Sequence, residues 1–582
     1  MVSTRRIASY FTWTRRRVRS SEAAFILLAV FVGAAAGLGS VILGAAARTA
    51  QHWLFLLPPA TRLSATPALA WSSLLVLPLG GAVLAVFTRV TGARKRPLVD
   101  AVEANALHGG RMSVPDSLVI SGQTVISNGF GASVGLEAAY AQMGGAIASG
   151  VGTAFRLRRA DLRSLVGAGA GAAIAATFGA PLAGAFYAFE IVIGAYTPSA
   201  IAPVAAAALA AVSVSKLFGA HPYVIGAASG GGVQSEHYLL YAGLALLCAV
   251  AGIALMRAVA VVENMSRRLP VPNWSRPIVG GALLMPIALF SPQVLSAGHG
   301  ALHADLALGA PLLFIASILF AKALASIVSL GFGFRGGLFF ASLFLGTLVG
   351  HLFAAGVAGV AGHEILDPRN AALVGMAALA VAVVGGPMTM ALLVLEATHD
   401  FSLTGAVLAA ALVASTVVRE TFGYSFSTWR LHLRGETIKS ARDVGWVKTL
   451  TAGRMMRRDT KATPASITIE AFRRRFPLGA TSRVVLIDDA EHYAGIVQTP
   501  SAYAEGVDLA KPVGSLAVNR DAALGPELDI AAVMTRFDAS GADELAVLDS
   551  ERRVLGILSE SFVRRRYAEE LEKAQQELFG ER

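Results

Sequence analysis

Apolar stretches long enough to cross a hydrocarbon core of roughly 30 Å recur from Ala23 to about Thr416, and they constrain the chain more than any other feature. The run Ala23–Ala47 is one of them. From Arg419 onward the composition becomes that of a soluble domain. With 55% hydrophobic and 15% charged residues over 582 positions, and a mean hydropathy of +0.60, the chain is too apolar for a soluble enzyme of its length. It reads as a polytopic membrane protein and not as an enzyme.

The net charge of +11 could point to nucleic acid, but much of the excess sits in short clusters beside the apolar spans. Arg5, Arg6, Arg15, Arg16, Arg17 and Arg19 form the first, Arg156, Arg158, Arg159 and Arg163 the second, and Arg267 and Arg268 the third. That distribution follows the positive-inside rule and places the N-terminus and the soluble tail on the cytoplasmic side, with no nucleic-acid partner. Residues 1–22 read as a basic interfacial helix anchored by Tyr10, Phe11 and Trp13. The first apolar span is read as a retained helix, since no small-residue cleavage site follows it. Cys248 is the single cysteine, which excludes an internal disulfide.

Several of the later apolar segments, among them 114–129, 181–195, 371–384 and 387–398, are too short to span and are broken by Gly and Pro. Backbone ends inside a membrane are tolerated only where protein or a water-filled pathway satisfies them. Two breaks look alike: GASVGLEAA and GFGFRGGLFFA each open a helix from a glycine-rich turn. A second pair, FGAPLAGAFYAFE at 178–190 and VGGPMTMALLVLE at 384–396, places a Pro turn before an apolar helix ending in Glu. The same order in both pairs predicts an internal repeat, roughly 23–217 and 237–418, with substrate bound between the halves.

A helix that begins in mid-membrane aims unpaired N–H groups and about half a positive charge at whatever lies before it. Two such ends converging make an anion site without Lys or Arg. Glu137 is the only charged residue between Asp116 and Arg156. Such a carboxylate costs about 2.5 kcal/mol or more unless it is neutralised or paired. Held by the amides of the helix it opens, it occupies the place of an anion; protonation releases it. Glu137 is therefore read as a gate, a proton carrier, or both. The many glycines elsewhere read as close helix packing.

These residues carry a resemblance. Gly135-Leu136-Glu137-Ala138-Ala139 with Gln142-Met143-Gly144-Gly145 is similar to the G-K/R-E-G-P stretch of the CLC family of chloride channels and chloride/proton exchangers. Phe178–Glu190 resembles the family's F-N-A-P-L-A-G segment, and Gly336–Ala341 with Leu345-Gly346-Thr347 its G-x-F-x-P stretch and following L-G-T. Residues 371–402 resemble its late segment ending in V-L-E-x-T. The resemblance implies a homodimer with one anion pathway per subunit, Glu137 as the external gating glutamate, and anion-coordinating amides around Gly135, Leu136 and Glu137 and at Leu338 and Phe339. It also implies dimer contacts near 181–217 and 387–418.

The departures bear on mechanism. Ala93-Arg94-Lys95-Arg96-Pro97 stands where the family has a turn with an anion-binding Ser, and Phe426 where it has a Tyr reaching the central anion. Ile191 stands where exchangers commonly carry an internal glutamate; Glu190, one position earlier, is a candidate proton relay or else a helix-end carboxylate. Arg335 and Lys322 read as field sources for anions or as side chains snorkelling to an interface. Glu396, His399 and Asp400 read as a cap or loop, with no metal site expected, and Met143, Met376, Met388 and Met390 as core filler.

In the tail, 449–505 and 512–570 each end in a similar strand, HYAGIVQ and RVLGILS. They resemble a tandem CBS pair with Thr451–Met456 opening the first module. CBS pairs often hold an adenine nucleotide, but Thr499 and Ser559 lack the Asp three residues on, which favours a structural role. No other cofactor is expected, with chloride as the substrate ion. The predicted architecture is an all-α polytopic inverted-repeat membrane domain at 23–435, a linker at 436–448, and a cytoplasmic α/β CBS-pair domain followed by a charged tail at 571–582. Chloride transport of voltage-gated channel type in the cell membrane is the leading reading. A chloride/proton antiporter, or a transporter of fluoride or nitrate, is its alternative. A CBS-linked cation transporter would need carboxylates along a pathway, and a membrane sensor with no transport is a further possibility.

Overall fold

A computed structural model describes residues 17, 21–58, 61–92, 98–219, 232–302, 311–433 and 450–579. Most of the basic segment 1–22, the Ala93–Pro97 turn and the linker 436–448 lie outside the described residues. The chain divides into two compact units, Met1–Asp443 and Val444–Arg582.

The first unit is helical. Its elements are α1 (Glu22–Leu54), α2 (Val76–Thr91), α3 (Ala101–Leu107), α4 (Val114–Gly129), α5 (Glu137–Ala154), α6 (Arg159–Phe178), α7 (Pro181–Tyr187) and α8 (Pro198–Leu217). After these come α9 (His237–Arg268), α10 (Arg276–Phe290), α11 (Leu312–Gly331), α12 (Phe339–Ala361), α13 (Pro368–Val384), α14 (Pro387–Thr398), α15 (Phe401–Thr421) and α16 (Phe426–Leu433). Among the described residues, seven helices are long and apolar enough to cross a membrane. The apolar segments 114–129, 198–217, 339–361 and 387–398 are helices over those spans; the short helices α3 and α16 have no counterpart in the apolar pattern.

The two halves are built alike. In each, the helix opened by the glycine-rich turn packs tightly on the next one: Gly144 of α5 meets Gly169 of α6, and Gly346 of α12 meets Gly375 of α13. A Cβ at any of these four positions would run into the facing backbone or, at Gly169, also into Ala148, so the glycines set the approach of the helices. Gly33 and Gly37 seat α1 on Ala207 and Ala211 of α8 in the same way.

The Pro turns give a second correspondence. Glu190 lies in the π-helical turn Ala188–Ile193 that continues α7, and its carboxylate accepts from Met388 N at 3.1 Å, Thr389 N at 2.9 Å and Thr389 Oγ1 at 2.7 Å. Glu396, at the end of α14, accepts from Leu182 N at 2.8 Å and Ala183 N at 2.9 Å. Each helix thus ends in the acid that caps the start of the other, satisfying orphan amides and opposing the helix dipole. Asp400 caps α15 through Leu403 N at 3.0 Å. The Glu396–Asp400 stretch is therefore capping machinery, and no metal-binding cluster is found among the described residues. Glu396→Ala is expected to cost about 1 kcal/mol, read as a lower Tm of the purified protein.

The second unit holds two three-stranded sheets: β1 (Ala462–Pro464), β2 (Arg483–Ile487) and β3 (Tyr493–Gln498), then β4 (Ala523–Leu524), β5 (Glu544–Leu548) and β6 (Val554–Ser559). In both, the first pair is parallel and the second antiparallel, with the crossover helices α17 (Ile469–Arg475) and α18 (Ile530–Ser540). This is the repeated α/β module expected of the tail. The opening segment Thr451–Met456, however, belongs to the second module: Thr451 bridges Asp529, Arg457 bridges Ile557, and Ala452 lies in the core with Leu524 and Ile530. Val518 returns to pair with Ile496 of the first. A final helix, α19, runs from Glu560 to Phe579 and takes in most of the charged tail.

Candidate functional site

Two glycine-rich turns meet inside the helical unit. Gly129-Phe130-Gly131 leads through Gly135-Leu136 to Glu137, and Gly331-Phe332-Gly333 leads through Gly337-Leu338 to Phe339 in the same register. Gly131 (φ 89°) and Gly333 (φ 96°) take the left-handed conformation that turns the chain at matching places. The turns are tied reciprocally. Gly135 N–H donates to Gly337 O at 2.9 Å and Gly337 N–H to Gly135 O at 3.2 Å. Ser133 N–H donates to Ser329 Oγ and Arg335 N–H to Ser127 Oγ, both at 2.9 Å. The antiparallel pairing is what a two-fold relation between the halves requires, and it brings the N-termini of α5 and α12 together.

Leu136, Leu338 and Phe339 stand buried at those converging ends, where first-turn amides have no partner inside their own helices. Gly135 does not serve as expected: its amide is taken by the Gly337 carbonyl. Its lack of a side chain matters instead, because a Cβ there would collide with the Glu137 carboxylate. That carboxylate is folded back over the turn, 1% of the residue is exposed, and the amides of Glu137 and Phe340 face it.

On one side lies a cavity of about 1020 Å³, lined by Gln123, Gln142, Arg267, Arg335, Phe426 and Arg430 and reaching Ala138, Gly336 and Gly337 at the helix starts. Phe426 is thus in the wall of this cavity, without a hydroxyl to offer. Tyr424 is engaged elsewhere, its hydroxyl 3.2 Å from His432 Nδ1. Arg335 lines the cavity, as a field source would. Glu190 is no part of this site; it is committed to the start of α14.

Two further residues stand at the site: His299, which the sequence did not single out, and Lys322, read from the sequence as a field source or a snorkelling side chain. His299 places Nε2 3.8 Å from Glu137 Oε1, with its ring 3.7 Å from that of Phe340. Lys322 is fully buried rather than snorkelling, and its Nζ donates to Ser296 O at 2.8 Å and Val294 O at 3.1 Å. Gln51 joins this loop to the first turn, donating to Asn128 Oδ1 at 2.9 Å and Ser296 Oγ at 3.0 Å. Lys322 carries the one charge in the twenty residues of α11, the same signal that marks Glu137.

A family profile described as voltage gated chloride channel matches residues 80–419. The chain belongs to that family. A ClcB-like protein of Ralstonia nicotianae is 28% identical over 387 residues, covering 65% of this chain and 90% of the relative. Among solved structures, a slow cyanobacterial Cl−/H+ antiporter superposes with a TM-score of 0.61 at 22% identity over 70% of this chain and 97% of its own. A eukaryotic CLC transporter superposes with a TM-score of 0.58 at 17% identity over 92% of this chain and 97% of its own. The helical unit of this CLC protein therefore has the fold that the resemblance implied.

Proposed function

We propose that this CLC protein moves chloride across the cell membrane through the space between the starts of α5 and α12, with the Glu137 carboxylate as its gate. One observation carries the reading. A buried carboxylate lies over the turn from which two helix starts, tied to each other, present their amides. Carboxylate and chloride are both small anions, so the amides that stabilise one stabilise the other. Proton binding removes the carboxylate's charge and with it the hold of the amides. The cavity on the Arg267 and Arg430 side supplies the approach for ions; Arg335 and Arg430 outweigh Asp100 there, since Arg267 is paired with Glu263 at 2.6 Å, and this net positive charge raises the local anion concentration.

By the positive-inside rule that cavity and the tail face the cytoplasm. Pairing of two copies through α8 and α15 belongs to this reading, and exposed Ile201, Leu209, Phe401 and Leu412 leave that face open to it as to lipid. The channel reading is favoured by Glu190, whose three hydrogen bonds hold it as a cap, and by Ile191 beside it, which cannot carry a proton. Exchange is the second reading, favoured by the likeness to an antiporter of known structure. The tail is read as structural; an adenosine nucleotide that raises its Tm would reverse that reading.

The test is the reversal potential of purified protein in a planar bilayer under opposed chloride and proton gradients. A value at the chloride Nernst potential makes the protein a channel, a shifted value makes it an exchanger, and no anion current refutes transport. Gly135→Ala is expected to push the carboxylate off its seat and raise chloride efflux from liposomes at neutral pH, where the parent is most closed.

A further inference from the structure

Among the described residues, the ionisable side chain that reaches the Glu137 carboxylate is His299, whose Nε2 stands 3.8 Å from Oε1. That spacing suits an ion pair and exceeds a hydrogen bond, so a short turn of either side chain closes it. Both groups are dry, but not equally. The imidazole side chain is 9% exposed against 2% for the carboxylate, and the wall of the large cavity takes in Ala138, Gly336 and Gly337 but neither member of the pair.

The ring is aimed by its surroundings. Phe340, in the first turn of α12, packs against it at 3.7 Å between ring centres, and the amide of the same residue faces the carboxylate. The loop that carries His299 is tied down on both flanks: Ser296 N–H donates to Gly131 O at 3.1 Å, and Gly300 N–H to Ser64 Oγ at 2.9 Å. Gly131 lies in the turn that leads to Glu137, so the loop and the gate share one anchor. The other ionisable groups around the pair are Lys322 of α11, whose Nζ donates to Ser296 O at 2.8 Å, Arg62, packed against Gly300, and Tyr187 of α7, whose ring lies 6.2 Å from that of Phe339.

A cationic neighbour favours the charged form of a carboxylate, and histidine is charged through most of the range in which carboxyl groups take up protons. We propose that His299 is a latch on the gate: its imidazolium keeps the Glu137 carboxylate charged and seated, so that opening takes a more acidic medium than the helix-start amides alone would demand. His299 acts through Glu137 and is a positioning residue. The sign is fixed by charge. Removing the imidazolium makes Glu137 easier to protonate, and the gate then opens at higher pH. This inference rests on the reading of Glu137 as gate.

The test is chloride efflux from liposomes that hold the full chain, recorded against pH. His299→Gln keeps a hydrogen-bonding side chain without the charge and is expected to raise the midpoint of the pH response by about one unit. His299→Lys restores a positive charge and is expected to return the midpoint to the wild-type value or below, a rescue that packing of the ring alone would not give. His299→Asn takes the place of His299→Gln should the latter yield no monodisperse protein. Lys322, Arg62 and Tyr187 are the same in every variant, so a moved midpoint belongs to His299. A midpoint that is unmoved or lowered in the amide variant, or as high in His299→Lys as in that variant, overturns the inference alone. Wild-type efflux that ignores pH, or a pH response that survives Glu137→Gln, removes the gate reading and the inference with it.

Discussion

Glutamine at position 137 gives a protein whose anion efflux no longer varies with pH and whose proton movement, if the wild type has any, falls to background. The argument is one of charge. In the wild type the carboxylate competes with the ion for the amides of α5 and α12, and a falling pH removes that competitor, so efflux rises as the medium is acidified. The glutamine side chain has nearly the carboxyl's shape but no charge at any pH, so it reproduces the acid-side state throughout. Efflux traces from liposomes between about pH 3.5 and pH 7.5, a range that takes in the ordinary midpoint of a glutamate at about 4.3 and extends well above it, provide the check. A glutamine variant that still follows pH as the wild type does, or still carries protons, would remove Glu137 from the mechanism.

The second large effect is on assembly. Gly346→Leu is expected to destabilise the helical unit by about 3 kcal/mol or more, and to yield little monodisperse protein on size-exclusion chromatography. The neighbours of a side chain at Gly346 are the Gly375 carbonyl and the Met376 Cα, backbone atoms that cannot rotate out of the way. α12 would have to lift from α13, and with it the start of α12 would lift from the turn before α5 to which it is tied. A variant at Gly356, where nothing lies within 4 Å, should behave as the parent and serves as the control.

Much of this site could be read before any coordinates, because membranes penalise irregularity. A glycine-rich break or a single acid in an apolar stretch needs a reason there, and that logic singled out Glu137 and the two glycine-rich turns; the amides at Leu136, Leu338 and Phe339 were named by the resemblance. The pairing of Glu190 with α14 and of Glu396 with α7 was half legible. The sequence marks both acids as helix ends but does not say that each caps the other's partner. Gly135 was assigned an open amide because local sequence cannot reveal that a turn two hundred residues away will claim it. His299 was missed and the choice between the two readings of Lys322 stayed open, for different reasons. Lys322 was the lone charge in its helix, but long flexible side chains reach interfaces often enough that its burial could not be told from its spacing. His299 lies in a Gly-His-Gly stretch of a loop, where no periodicity exists to give its side chain a direction. In the tail, strand pattern revealed two modules, but chain order suggested the wrong owner for Thr451–Met456.

That last exchange has a bearing on how the tail can work. Each half contributes a strap to its sibling, so neither could be excised as a self-sufficient piece, and a cut near residue 508 would leave two fragments that complement one another only when mixed. Strain introduced on either side is shared, which would let a small molecule or a lost contact at one be felt as a single response of the whole.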